Sequence, residues 1–366
     1  MRVPALAALL PSESAQLPGV PGPHHAAVLF EAAHNRLSAH QGREFRRLLE
    51  QHRQGLEARP GTVEQTFGDQ AGNVKLKLGL SDGAAVETVL LHDRPPGRGP
   101  ARRTVCISSQ VGCPIGCRFC RTGTRGLARS LTQQEIIGQY LAVVDRFGAV
   151  SNVVFMGMGE PLLNTEAVFG AASVLAHPRG PAIPFKRITI STCGIPAGIE
   201  RLGSHHFLDE FPGARPRLAV SLVTADRGLR AELVPGTRLD AVRAAVARYL
   251  GVTGRPVTME VTLLGGVNDS PAHAAGIAEL IRGLPRADRV DVNLIPWNRV
   301  AGLPYRPPTT ASVDAFAGEL VSRGVAVTGR YPRGRSIAAA CGQLGTTRSI
   351  KKRVAGTCVS RGPTGG

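Results

Sequence analysis

Short runs of β-branched and apolar residues alternate with longer amphipathic stretches from residue 104 onward. The predicted strands are 104–108, 152–158, 187–192, 217–222, 256–264, 289–295 and 325–331. Helices are predicted at 132–147, 165–176, 239–250, 272–284 and 311–323. Repeated strand–helix units imply an α/β fold with a parallel sheet and right-handed crossovers, in an open sheet or a complete or partial barrel. In each of these folds the chemistry gathers at the carboxyl ends of the strands.

The first hundred residues follow other patterns. Residues 1–25 are rich in Pro, Ala and Ser and have no clear period, which predicts a loose leader. Apolar residues at steps of three and four predict helices at 26–37 and 43–56. Strict alternation on both sides of Ser81-Asp82-Gly83, at 74–80 and 84–91, is typical of a β-hairpin.

Composition limits the class of protein. The 366 residues are 43% hydrophobic and 19% charged, as in ordinary globular chains. No run reaches the roughly 18 to 20 apolar residues of a membrane span, so we expect a cytoplasmic protein with no membrane partner. The net charge of +17 favours a polyanionic partner such as nucleic acid. The aromatic content of 4% argues against sheets that read single strands by base stacking.

Three of the seven cysteines lie close together in Cys113-Pro-Ile-Gly-Cys117-Arg-Phe-Cys120, just after the first strand of the predicted core. A structural zinc site would need a fourth Cys or His at a second paired spacing, and no such pair follows. A loop lets three thiolates converge on three irons of a 4Fe–4S cluster, which leaves one iron open to chelate a substrate. The pattern therefore predicts Cys113, Cys117 and Cys120 as cluster ligands, with zinc or coincidental cysteines as the alternatives.

Four sequence motifs narrow the choice of protein family. They are Cys106-Ile-Ser-Ser-Gln-Val-Gly-Cys113, Gly157-Met-Gly-Glu-Pro-Leu162, Leu294-Ile-Pro-Trp-Asn298 and Ala339-Ala-Cys-Gly-Gln-Leu344. Together with the C-x3-C-x2-C spacing, they closely resemble the RlmN/Cfr family of radical S-adenosylmethionine (SAM) methyltransferases, which act on adenine in RNA. The resemblance runs from about residue 70 to residue 344. It implies a partial (β/α) barrel, with a small N-terminal helical domain and a β-hairpin extension, that uses SAM and a 4Fe–4S cluster.

The resemblance also implies a division of the chain and a set of SAM contacts. Residues 1–70 would form a leader and a small helical RNA-binding accessory domain, 71–103 the hairpin extension and linker, 104–345 the radical-SAM core with a C-terminal methyl-carrying cysteine loop, and 346–366 a basic tail. The family's SAM contacts match Gly159, Glu160, Ser191, Ser221, Leu222, Val223 and Asn298. Without the resemblance, Gly159-Glu160 would indicate a glycine-rich turn with a solvated Glu, and isolated Ser or Asn residues would indicate caps or turns.

Two further cysteines and one carboxylate match catalytic residues of the family. One SAM would methylate Cys341, and a second would be cleaved to a 5′-deoxyadenosyl radical that activates the S-methyl group for addition to the base. The Cys106 thiol would then attack the Cys341 sulfur, releasing methylated RNA and forming a disulfide that cellular thiols reduce. Glu87 is the expected proton acceptor. The alternatives are a buried strand cysteine at Cys106 and a small helix-terminal residue at Cys341.

The pattern departs from the family at two places. Val223 stands where the family has His, and Arg335-Ser336 follow Gly334 where an acid is common. These departures leave the cluster residues intact, and the resemblance implies methylation at C2 of an adenine in RNA, at adenine 2503 of 23S rRNA or in tRNA. Methylation of 23S rRNA at C8, as in the Cfr branch, is one alternative, and a non-catalytic iron–sulfur ribosome-binding protein is another. A monomer served by an electron donor such as flavodoxin or ferredoxin is expected.

Overall fold

The computed structural model describes residues 5–93, 102–329 and 334–345. Its strands are β1 (Thr62–Gly68), β2 (Val74–Gly79), β3 (Ala85–Asp93), β4 (Arg102–Cys106), β5 (Gln110–Gly112), β6 (Leu127–Ser130), β7 (Asn152–Phe155), β8 (Ile188–Thr192), β9 (Arg217–Ser221), β10 (Val257–Leu263), β11 (Val290–Pro296) and β12 (Ala326–Gly329). Its helices are α1 (Pro11–Ser14), α2 (Pro23–Ala33), α3 (Ala39–Glu44), α4 (Arg46–Gln51), α5 (Arg53–Glu57), α6 (Gln133–Phe147), α7 (Thr165–Ala176), α8 (Pro196–Ser204), α9 (Arg227–Leu233), α10 (Leu239–Thr253), α11 (Pro271–Arg282) and α12 (Thr310–Ser322).

Apart from the antiparallel pair β5 and β6, which forms a separate two-stranded sheet, the described strands belong to one ten-stranded sheet. Its strand order is β1-β2-β3-β4-β7-β8-β9-β10-β11-β12, and every neighbouring pair from β4 to β12 is parallel. Because each crossover returns the chain to the adjacent strand, the parallel part winds in one direction, as in the wall of a barrel. The predicted α/β class and the seven core strands are confirmed, with shifts of a few residues at their ends.

The antiparallel part of the sheet is larger than the sequence predicts. Strands β2 and β3 form the expected hairpin, with the Leu80 amide donating to the Ala84 carbonyl at 2.7 Å and Gly83 at φ +85° in the turn. Strand β3 continues the sheet by pairing with β4. Strand β1 was not predicted, because it is an exposed edge strand with mixed polar residues. It lies before the boundary expected at residue 70, so the extension has three strands rather than two.

The leader also differs from the expectation. Leu6–Ala8 forms a 3-10 turn whose side chains are fully buried in the main core. The Gln133 side chain at the start of α6 donates to the Ala8 carbonyl at 2.8 Å. A short segment that is covered on all sides shows no hydrophobic period, and this is why residues 5–10 resemble a loop in sequence. The predicted basic tail lies outside the described residues.

Two apolar clusters form the interior of the part of the chain that the structure describes. The main cluster fills the space between the sheet and its helices. The smaller cluster lies around the cysteine loop and includes Ile115, Phe119, Val223, Leu233 and Trp297. Of the helices in the described residues, none is long and apolar enough to cross a membrane.

Candidate active site

The predicted functional residues gather at one end of the parallel strands. Gly159-Glu160 follows β7, Ser191 is the last residue but one of β8, and Ser221 ends β9. Asn298 comes two residues after β11. Since carboxyl ends of parallel strands meet at the same edge of a sheet, the fold brings these side chains to one rim, as the sequence predicts.

The cysteine loop between β5 and β6 is fixed by contacts on both sides. The indole N–H of the buried Trp297 donates to the Phe119 carbonyl at 2.9 Å. The Arg118 amide donates to the Leu233 carbonyl at 3.0 Å. Gly123 allows a close fold of the loop on itself, since a Cβ there would meet the Cys117 backbone nitrogen at 2.8 Å. The loop is therefore held in shape by the residues of the smaller apolar cluster.

The three loop thiols suit an iron–sulfur cluster by their chemistry. Burial raises the pKa of Cys113 to about 12, and burial also raises the pKa values of Cys117 and Cys120. The thiols are close enough for their charges to interact. Within the described part of the chain, no three Cys, His, Asp or Glu side chains surround a single metal-ion position. Cluster thiolates each bind a different iron, so they need not converge on one point, and metal binding displaces their protons.

The glycines of the Gly157-Met-Gly159 motif serve the fold of this chain. A Cβ at Gly157 would meet the Ser108 backbone nitrogen at 2.7 Å, and a Cβ at Gly159 would meet that of Gln110 at the same distance. The Met158 amide donates to the Ser108 hydroxyl at 2.9 Å. These glycines let the segment after β7 pack closely against residues 107–110.

Replacing Gly159 with Ala is expected to destabilise the protein by more than the backbone conformation alone explains. Gly159 has φ +100° and no space for a Cβ, whereas Gly83 has φ +85° and no heavy atom within 4 Å of the place where a Cβ would lie. Gly83→Ala should therefore cost only the left-handed strain, about 1–2 kcal/mol. Gly159→Ala should add about 1–3 kcal/mol of steric overlap. Chemical denaturation of both variants measures the difference, and equal losses would contradict this account.

Glu160 is buried rather than solvated. The residue is only 3% exposed. One of its side-chain oxygens accepts from the Leu162 amide at 3.0 Å, and the other accepts from the Cys193 amide at 2.8 Å. Burial raises the pKa of this carboxyl. The solvated-turn alternative is therefore wrong. Cys193 is itself buried and supplies one of these two amides.

Ser191 lies in a polar network inside the sheet that the sequence did not indicate. Its hydroxyl donates to one oxygen of Glu260 on β10 at 2.7 Å. The other Glu260 oxygen accepts from the Asn293 amide group on β11 at 3.2 Å. Glu260 is 4% exposed. The sequence signal that could have indicated this network is the presence of a carboxylate within the apolar run 256–264. The network fixes the direction of the Ser191 hydroxyl across the strand ends.

Arg230 of α9 forms hydrogen bonds with the backbone carbonyls of Ser221 and Leu222. This guanidinium is fully buried and donates to the carbonyls of Ser221, at 3.0 Å, and of Leu222. It also donates to the Cys193 carbonyl at 2.7 Å and the Thr237 hydroxyl at 3.0 Å. Arg230 thus joins the ends of β8 and β9 beside the cysteine loop. No sequence signal pointed to it, because one Arg in a short helix is ordinarily exposed.

Val223 has an unusual backbone conformation. Its φ of +64° is a true outlier for a β-branched residue. The amides of Leu222 and Val223 both donate to the Glu260 carbonyl, at 2.9 and 3.3 Å, and the Val223 carbonyl accepts from Asn268 at 2.9 Å. The side chain is fully buried in the smaller apolar cluster. Local backbone strain here is maintained by the surrounding hydrogen bonds.

The segment 338–345, which carries Cys341, lies directly against the cysteine loop. The Arg121 amide donates to the Gly342 carbonyl at 3.0 Å, and the Thr122 hydroxyl donates to the Leu344 carbonyl at 2.6 Å. Arg121 and Thr122 immediately follow the third loop cysteine. The Asn298 side chain donates to the Cys341 carbonyl at 3.4 Å. Residues more than two hundred positions apart in sequence therefore form one site.

Glu87 and Cys106 lie on the same face of the sheet. Val89 on β3 is paired with Cys106 on β4, and Glu87 is two residues before Val89, so all three side chains point to one side. The buried Glu87 carboxylate accepts from the Gly345 amide at 2.7 Å. This contact brings the Cys341 segment onto that face. The structure thus places Glu87, Cys106 and the segment that carries Cys341 in one region.

Comparison with known proteins agrees with this architecture. The family model of the radical SAM superfamily matches residues 107–275. A crystal structure of a radical SAM methyltransferase from Sphaerobacter thermophilus aligns with a TM-score of 0.80 and 36% identity, covering 93% of this chain and 99% of that chain. The fold is therefore the radical-SAM α/β fold.

Comparison with sequence relatives assigns the family, where the structural comparison assigns the fold. A probable dual-specificity RNA methyltransferase RlmN from Treponema pallidum is 42% identical over 291 residues, which cover 79% of this chain and 81% of the relative. Another from Synechococcus sp. is 44% identical over 279 residues, covering 75% of this chain and 77% of the relative. Similarity at this level over most of both chains establishes membership: the chain belongs to the RlmN family of radical SAM RNA methyltransferases.

Proposed function

We propose that this protein transfers a methyl group from SAM to C2 of an adenine in RNA, by way of an S-methylated Cys341. The observation that carries the proposal is the position of the Cys341 segment, which is hydrogen-bonded to the residues after Cys120 and to Glu87. A methyl-carrying cysteine must reach both the place where SAM reacts and the groups that complete the transfer.

The residues of the rim fit the two cofactors that radical SAM enzymes use. Cys113, Cys117 and Cys120 would hold the cluster, and their thiols are the donor type that iron–sulfur clusters take. The SAM contacts would come from Gly159, Glu160, Ser191, Ser221, Leu222, Val223 and Asn298. When bound, the cluster supplies the electron that cleaves SAM.

The remaining steps of the methyl transfer are assigned to three side chains, those of Cys341, Cys106 and Glu87. The Cys341 sulfur accepts a methyl group and gives up its thiol proton. Once the methyl carbon is bonded to adenine C2, the sulfur and the base are linked through one carbon. Glu87 would accept the C2 proton as the adduct gives up one electron, which would return to the cluster. The Cys106 thiolate then attacks the Cys341 sulfur, breaks the sulfur–carbon bond and forms a disulfide, and the released carbon takes up a proton to become the methyl group of the product. External thiols then reduce the disulfide for the next turnover.

The substrate class follows from the relatives and from charge. The relatives' names describe RNA methyltransferases, and a net charge of +17 favours a polyanion. We propose 23S rRNA, at adenine 2503, as the substrate, with tRNA as a second one. A monomeric enzyme served by flavodoxin or ferredoxin would be sufficient for this chemistry.

Anaerobic reconstitution tests the proposal. With iron, sulfide, SAM and a reductant, the protein is expected to release 5′-deoxyadenosine and to gain one methyl group on Cys341, which mass spectrometry of the intact chain measures. Absence of both products would refute the enzyme and favour a non-catalytic binding protein.

The carbon and the RNA are then identified from cells. Digested rRNA and tRNA from a deletion strain should lack 2-methyladenosine and regain it on complementation. Loss of 8-methyladenosine instead would contradict the C2 assignment.

A further inference from the structure

Lys75 on β2 is a buried lysine that lies outside the four sequence motifs. The residue is 7% exposed, and its Nζ lies 3.2 Å from a Glu87 oxygen and 3.2 Å from the Ala338 carbonyl oxygen. It also lies 5.1 Å from the centre of the Phe67 ring. A buried ammonium is costly unless it is paired, and these three partners supply the compensation.

The partners of Lys75 and Glu87 lie at the two ends of the same segment. Lys75 binds the carbonyl of Ala338, and the other Glu87 oxygen accepts from the amide of Gly345 at 2.7 Å. Cys341 lies between these two points. The ion pair therefore contacts the segment 338–345 at both ends, from strands β2 and β3.

The conformation at the first end requires support. Ala338 has φ +50°, a left-handed conformation that is strained for a non-glycine residue. Such a conformation persists only where the surroundings impose it. The hydrogen bond from Lys75 to the Ala338 carbonyl is one contact that does so.

We propose that Lys75 is a positioning residue for the methyl-transfer reaction. With Glu87 it forms a clamp that holds the segment 338–345, and hence Cys341, against the cysteine loop. This role rests on the proposed function. In this role Lys75 acts through Glu87 and the backbone of the segment.

Hydrogen–deuterium exchange of the full chain tests the clamp directly. In Lys75→Met, peptides covering 338–345 should exchange about tenfold faster than in the parent protein, because a charged hydrogen bond at one end is lost. Lys77→Met is the matched control. It removes the same charge from the same strand, but Lys77 pairs with Glu64 and both are partly exposed. It should leave those peptides unchanged.

An unchanged exchange rate in Lys75→Met, or equal acceleration in Lys77→Met, would overturn the proposal. Peptides from β8 to β10 report whether the variant is folded. If Lys75→Met is unfolded there, Lys75→Gln, which keeps a polar end on a shorter side chain, should show the same local acceleration, and parent-like exchange in it would equally overturn the clamp.

The kinetics of Cys341 S-methylation distinguish a failure of the clamp from a failure of the proposed reaction. Lys75→Met should slow S-methylation of Cys341 about tenfold in kcat with little change in KM for SAM, which a general loss of structure would not produce. If the parent protein forms no S-methylcysteine at all, the proposed function fails while the exchange result still tests the clamp. If the parent is active and Lys75→Met exchanges and reacts normally, only the clamp is wrong.

Discussion

A Cys106→Ala variant is expected to accumulate a covalent adduct between protein and RNA, whereas Cys341→Ala should form none. Without the Cys106 thiol, nothing breaks the bond between the Cys341 sulfur and the methyl-derived carbon, so each molecule stops after one addition. Without Cys341, the methyl group has no carrier, and methylation should fall below detection. Denaturing electrophoresis with labelled RNA distinguishes the two outcomes.

The control is Cys358→Ala, which removes a cysteine from the tail and should behave like the parent protein. Adduct from Cys341→Ala, or sustained turnover by either Cys106→Ala or Cys341→Ala, would contradict the assigned roles. The placement of Glu87, Cys106 and the Cys341 segment at one face of the sheet is the structural reason to expect the trapped species.

The second large effect is expected from Arg230→Met. The guanidinium satisfies the carbonyls of Cys193, Ser221 and Leu222 in a fully buried position. Met fills a similar volume but donates no hydrogen bonds. The Cys193 carbonyl keeps the Thr237 hydroxyl as a donor at 3.1 Å, whereas the Ser221 and Leu222 carbonyls lose the guanidinium, and each buried acceptor left unpaired costs about 1–3 kcal/mol. We expect a loss of at least about 2 kcal/mol in the free energy of unfolding, measured by chemical denaturation of the metal-free protein.

Arg227→Met provides the comparison, because Arg227 lies on the same helix in an exposed pair with Asp240. It should leave the unfolding midpoint unchanged, since exposed ion pairs contribute little. In Arg230→Met, SAM affinity should also fall, because the ends of β8 and β9 lose their common support. A variant as stable as Arg227→Met would show that the buried hydrogen bonds are unimportant.

Much of the fold was predictable because its strands produce hydrophobic patterns among neighbouring residues. The seven core strands and the hairpin follow from periods of two and from apolar runs, which depend only on neighbouring residues. Strand β1 was missed because an exposed edge strand needs no apolar face. The 3-10 turn at Leu6–Ala8 was missed because complete burial removes the period.

The site was predictable only where residues lie close together in sequence or match a family motif. The three loop cysteines lie within eight positions, and their spacing predicts that they are cluster ligands. The close packing of Gly157 and Gly159 against residues 107–110 of the same chain could not be predicted in this way. That contact joins segments about fifty positions apart, and no local pattern reports it.

By itself, the sequence determined the α/β class, the cysteine loop and, through four motifs, the family. Only the tertiary structure decided how Cys341 is held: Lys75 reaches a carbonyl 263 positions away, and Glu87 accepts from an amide 258 positions away. The same holds for Arg230 and Glu260, whose burial is set by strands distant in sequence. The physical reason is that periodicity and spacing are local properties, whereas the partners that compensate a buried charge are brought together only when the chain folds.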